Sequence, residues 1–251
     1  GSMNSLTRIA ARLRLRGLPL RPERSVSRAV GDTADTPPGR ATERLERLHP
    51  HRSGVLALAE GHDAFATRML LAEAAERSLD VQYYIWHADL TGTLLLRALL
   101  RAAERGVRVR LLLDDNNTRG MDASLWALDS HPNVEVRLFN PFVQRDWRWL
   151  GYLTDFSRLN RRMHNKSFTA DNQVTIVGGR NIGDDYFDAG QEISFVDMDV
   201  LAVGAVVPHV SADFERYWAS NLLRLPHAVR QGRTGRGDAP PPADADLVQP
   251  D

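Results

Sequence analysis

Apolar positions recur at helical spacing over residues 63–77, 93–105, 121–130 and 208–223. Between them lie short β-rich runs at 79–86, 107–113, 134–139, 163–170, 173–177 and 195–203. The helical run at 93–105 stops at Gly106, a residue suited to the left-handed turn after a helix. The run at 107–113 reads as a buried strand and leads into the polar Asp114-Asp115-Asn116-Asn117. Strand, helix, strand and polar loop in that order make a β-α-β unit. Its loop lies at the carboxyl end of a strand, where open α/β sheets place ligands. Between 163–170 and 173–177 the Asp171-Asn172 pair predicts a tight hairpin, because both residue types tolerate left-handed backbone. The alternation predicts an α/β fold, a mixed β-sheet flanked by helices, with no internal repeat.

Composition narrows this picture. A chain of 251 residues can bury a substantial core without staples. It has no cysteine, so disulfides, thiolate nucleophiles and cysteine metal sites are excluded. Its 32 basic and 32 acidic side chains cancel, which argues against a general nucleic-acid binder while leaving a local basic patch open. No apolar run approaches the ~20 residues that span a bilayer. Gly1-Ser2 reads as a tag scar, and residues 1–50 as a basic, flexible leader. Its arginine-leucine alternation over 6–20 suits an amphipathic segment on an anionic membrane or a disordered basic leader, and no signal-peptide core follows. Residues 51–225 are read as the catalytic domain and 226–251, rich in Gly, Pro, Ala and Asp, as a linker or tail.

The basic residues are 31 arginines and a single lysine, Lys166. A compact ammonium does chemistry that a guanidinium cannot, which directs attention to Met163-His164-Asn165-Lys166-Ser167-Phe168-Thr169-Ala170-Asp171 and the following Gly178-Gly179-Arg180-Asn181. On a strand, residues two apart share a face, so His164 and Lys166 point the same way. An imidazole beside an ammonium does not suggest a metal site, and no cofactor is called for. Lysine attracts phosphate instead. Gly178 and Gly179 allow backbone N–H groups to approach an anion, and the Asn181 amide adds a donor. Nucleophile, fixed cation and oxyanion clamp together predict phosphoryl transfer without metal.

His-x-Lys-x4-Asp followed by Gly-Gly-x-Asn resembles the HKD motif of the phospholipase D superfamily. The blocks at 79–86, 108–118, 136–142 and 151–184 resemble the amino-terminal half of bacterial cardiolipin synthases of the C type. The resemblance implies a phospholipase D-like fold and a His164 nucleophile that forms a phosphohistidine. It also implies Lys166 and Asn181 on the non-bridging oxygens, and Asp171 holding the hairpin and the lysine. The family places a carboxylate on the strand after the glycine loop to orient the histidine. Asp197 is the first candidate, with Asp199 and Glu192 behind it, and spacing alone does not separate Asp197 from Asp199.

Cardiolipin synthases carry two such motifs, and one lysine cannot furnish a second His-x-Lys. The resemblance therefore implies a second HKD half, supplied in cis by a longer chain or by a homodimer. The implied substrates are phosphatidylglycerol and phosphatidylethanolamine, handled peripherally at the cytoplasmic face of a bacterial inner membrane. Before the motif, Trp147 and Trp149 stand among Arg145, Arg148, Arg158, Arg161 and Arg162, a composition suited to a membrane interface, to stacking with single-stranded nucleic acid or to ordinary loop packing. Asp114 and Asn116 could hydrogen-bond a headgroup or simply form a polar turn. The rival readings are a homodimeric single-motif HKD phosphodiesterase or nuclease, and a non-catalytic membrane-binding module. Balanced charge makes nucleic acid the weaker partner.

Overall fold

A computed structural model describes residues 27–115, 118, 121–139, 163–189, 197–220 and 223–224. In chain order these form α1 (Pro37–Leu48), β1 (Ser53–Leu58), α2 (Gly61–Ala74), β2 (Ser78–Tyr83), α3 (Leu90–Glu104), β3 (Arg108–Asp114), α4 (Asp122–Asp129) and β4 (Val134–Phe139). They continue with β5 (Ser167–Ala170), β6 (Val174–Gly178), β7 (Asp199–Gly204), α5 (Val207–Trp218) and β8 (Leu223–Arg224). The strands make one mixed sheet in the order β1-β7-β6-β5-β2-β3-β4-β8. β2, β3 and β4 run parallel, and every other neighbouring pair is antiparallel.

The period of two along β2 and β3 sorts their side chains onto two different faces. Leu79, Val81 and Tyr83, with Val109, Leu111 and Leu113, join the main core with Ala64 and Ala72 of α2 and Leu95, Leu99 and Ala102 of α3. α3 is set by Asp89, whose carboxylate caps the Gly92 N–H, and it ends before Gly106 at φ +97. The opposite face meets α5 and is partly ionic. Arg110 donates to both Asp80 oxygens at 2.7 Å and to Glu215 at 2.8 Å. Its guanidinium lies 4.9 Å from the Phe214 ring centre and 5.4 Å from that of Trp218. With the Ser27 carbonyl also accepting at 3.0 Å, this buried charge has three accepting groups and two aromatic faces.

The structure corrects the reading of the first fifty residues as a flexible leader. From Ser27 onward they belong to the folded body: Thr36 caps α1, which opens on Pro37-Pro38, and Gln173 donates to the Thr33 hydroxyl at 2.9 Å. A Thr-Pro-Pro helix start carried that signal. The sequence pattern does not predict β1, and the reason is physical. It is held by backbone pairing to β7 and is exposed at every position but Leu58, so it has no burial period to read. Residues 163–166 precede β5 rather than belonging to it, and β7 starts at Asp199 rather than at 195. The hairpin is where it was expected, with Asp171 at φ +50 and Asn172 at φ +52. Residues 1–26 and 226–251 lie outside the described residues. Among those described, no helix is long and apolar enough to cross a membrane.

Candidate active site

Antiparallel pairing of β5 with β6 (Ser167 opposite Val177) brings the segment before β5 beside the segment after β6. Pairing of β2 with β5 (Gln82 opposite Ser167) adds the carboxyl end of β2. Pairing of β6 with β7 (Gly178 opposite Asp199) adds the start of β7. His164, Lys166, Tyr84, Asn181 and Asp197 thereby converge at one end of the sheet.

His164 is exposed, whereas Lys166 is only 8% exposed. The Lys166 ammonium stands 3.2 Å from His164 Nδ1 and donates to the His164 carbonyl at 2.9 Å. Tyr84 backs both, its ring centre 5.1 Å from the imidazole and 5.7 Å from Nζ. The two side chains therefore share a face, as expected, although no regular strand carries them. Asn181 accepts the Ile85 N–H through Oδ1 at 3.0 Å, which leaves its amide N–H groups as donors toward the site.

Asp197 and Asp199 separate once their neighbours are known. Asp199 is fully buried, with Oδ2 2.7 Å from the Arg68 guanidinium and Oδ1 accepting the Arg180 N–H at 3.2 Å. Arg68 in turn donates to the Tyr83 hydroxyl at 2.9 Å. Asp199 thus ties β7 to α2 and β2. Asp197 is half-buried and, among the described residues, makes no hydrogen bond to His164. Its influence falls on Lys166. Burial pushes the lysine below its ordinary value, and the Asp197 and Asp199 carboxylates oppose that shift.

The glycines have a use that differs from the one expected. The Gly179 N–H donates to Met198 O at 3.1 Å and so is engaged in the backbone ladder. A Cβ on Gly178 would come within 2.2 Å of Asp199 Oδ1, and one on Gly179 within 2.6 Å of Asp197 Oδ1. The pair makes room for two carboxylates. Asp171 sits at the far end of β5, where its carboxylate accepts the N–H groups of Glu76, Arg77 and Ser78 at 3.0, 2.8 and 2.8 Å. It is a positioning residue that anchors the hairpin. Asp114 is likewise buried and accepts the Met163 N–H at 3.2 Å, holding the start of the histidine segment. Asn116, Trp147, Trp149 and Glu192 lie outside the described residues.

A cleft of about 420 Å³ opens beside His164 and Lys166, with Gln82, Ser167, His209 and Asp213 in its walls. The last two come from α5, which sequence reasoning treated only as a closing helix. Their spacing of four residues on one helix was the available signal.

Because the chain has a single lysine, its Nζ resonance in lysine-labelled protein is unambiguous. It should titrate below the ordinary lysine range, and Asp197→Asn, which removes a charge that favours the ammonium, should lower the midpoint further. A midpoint that Asp197→Asn leaves in place would detach that carboxylate from the site.

Comparisons with known proteins bear on the family and the fold. The chain is 66% identical to cardiolipin synthase C of Escherichia coli (strain K12) over 170 residues, which are 68% of this chain and 36% of that protein. The fold resembles phosphatidylserine synthase of Haemophilus influenzae Rd KW20 with a TM-score of 0.53 at 14% identity, over 68% of this chain and 38% of that one. It also resembles NucT from Helicobacter pylori, with a TM-score of 0.50 at 16% identity, over 69% of this chain and 98% of that one. These two likenesses concern the fold alone. The chain spans little more than a third of the curated relative it matches. Residues 69–218, which hold the whole convergence of strands around His164, match the family described as "Cardiolipin synthase, PLD-like domain". On that match, the chain belongs to the phospholipase D-like domain family of the cardiolipin synthases.

Proposed function

We propose that this domain forms a phosphohistidine on His164 and passes a phosphatidyl group from one phospholipid to the hydroxyl of another, as the first of two matching halves of a cardiolipin synthase. The observation that carries the reading is the exposed His164 ring 3.2 Å from the ammonium of the chain's one lysine. The ammonium engages Nδ1, so lysine and imidazole are coupled. A phosphodiester that takes the ammonium onto its non-bridging oxygens releases the ring at the same time, and the Asn181 amide donates to the same oxygens. The ring then attacks phosphorus. An N–P bond forms as the P–O bond to the departing alcohol breaks, and the alcohol oxygen takes a proton from the acid of the second half. A second alcohol attacks the phosphohistidine, the P–N bond breaks, and its proton returns to that group.

The substrates on this reading are phosphatidylglycerol and phosphatidylethanolamine, met peripherally at the cytoplasmic face of a bacterial membrane. Trp147 and Trp149 provide the interfacial contact. Vesicles containing both lipids, incubated with a chain carrying both halves, should yield cardiolipin and free ethanolamine. Cleavage of single-stranded DNA without any lipid product would overturn the reading in favour of a nuclease.

A further inference from the structure

Once the phosphohistidine has formed on His164, the alcohol that resolves it has to reach phosphorus through the adjoining cleft. The loop at residues 114–117 seemed a suitable wall from sequence, but the Asp114 carboxylate is buried against the Met163 N–H. The opposite wall is built differently. His209 and Asp213 are four residues apart on α5, hence on one helical face, and both line the cleft that His164 and Lys166 line. Asp213 Oδ2 accepts the Asn165 side-chain N–H at 2.6 Å, so α5 is tied to the residue between the histidine and the lysine. Anything held by α5 is therefore held in register with the reacting pair. His209 is exposed and its ring makes no hydrogen bond among the described residues, so its ring nitrogens are available to an alcohol.

We infer that α5, through His209 and Asp213, forms the subsite for the accepting alcohol, and that the alcohol it takes is a neutral polyol of the glycerol kind, the ethanolamine of the donor having left before it binds. This rests on the phosphatidyltransferase reading above. The charge balance selects the class. Arg216 pairs with the Asp213 oxygen that Asn165 leaves, so the carboxylate is compensated. Lys166 on the facing wall repels a second ammonium. Paired donors and acceptors without net negative charge suit vicinal hydroxyls, and the buried Ser167 adds another hydroxyl to the lining.

The test is a partition. With a phosphatidyl donor and the chain carrying both halves, one phosphohistidine is resolved by added glycerol, by added ethanolamine or by water, and the product ratios are read directly. Loss of folded enzyme alters none of these ratios. His209→Ala should lower the glycerol-to-water ratio about tenfold, the scale of one hydrogen bond. The ethanolamine-to-water ratio should change less than about twofold, and His209→Gln should recover part of the glycerol ratio. An unchanged glycerol ratio in His209→Ala would overturn the α5 subsite. Equal losses with glycerol and ethanolamine would overturn its selectivity for polyols. If the unmutated enzyme gives no phosphatidyl product with any acceptor, it is the transferase reading itself that falls, which is a distinguishable result.

Discussion

His164→Ala, in a chain carrying both halves, should lower turnover by at least about 10⁴-fold, the scale seen when a nucleophile is removed from an otherwise intact site. It should also abolish acid-labile labelling of the protein by a ³²P-phosphodiester. The fold should survive, because the ring is exposed and its contacts are with Lys166 and Tyr84. Circular dichroism and the urea midpoint check that part. A variant that still acquires the label would move the nucleophile to another residue, and the coupling of Lys166 to Nδ1 would lose its meaning for the chemistry.

Asp199→Ala should behave in the opposite way, costing stability rather than only chemistry. It would leave the Arg68 guanidinium, 1% exposed, without its carboxylate. Breaking a buried pair by removing one partner costs about 3–5 kcal/mol. It also removes the acceptor of the Arg180 N–H, which loosens the turn that carries Asn181. Asp197→Asn leaves both contacts alone and should unfold at nearly the wild-type denaturant concentration. Equilibrium unfolding of the two variants side by side distinguishes them. Equal midpoints would mean that the Arg68 network is not what joins β7 to the rest of the sheet.

The parts of this site that sequence reveals are those set by local chemistry. His164 and Lys166 are two residues apart, and Asp171-Asn172 can only turn sharply. The Asn181 amide follows from the motif. Long-range contacts are a different matter. Spacing treats Asp197 and Asp199 alike, and the contacts that tell them apart are Arg68, 131 residues before Asp199, and the Arg180 N–H. Asp114 is polar and ends a strand, which suggests a pocket residue, and its contact with the Met163 N–H, 49 residues on, is not legible in spacing. Gly178 and Gly179 suggest a close approach of backbone to an anion, and the structure shows a different crowding. What approaches them is a pair of carboxylates, Asp199 at the start of β7 and Asp197 two residues before it. α1 carried a legible start signal, whereas β1 carried none, since an edge strand with exposed side chains has no period.

The sheet is two sheets in origin. β2, β3 and β4 form a parallel unit joined by local helices, and β5, β6, β7 and β1 form an antiparallel one. Tyr84 and Asp114 follow from the first unit, while His164, Lys166 and Asn181 follow from the second. The seam between them is the pairing of β2 with β5. During synthesis the parallel unit is complete well before β5 emerges, and β1 waits for β7, its Leu58 pairing with Asp199. At ~5–20 residues per second that wait is on the order of ten seconds. The second unit carries the histidine, the lysine and the asparagine and the first carries their supports, Tyr84 and Asp114, so a phosphohistidine formed on His164 would report that the seam has closed.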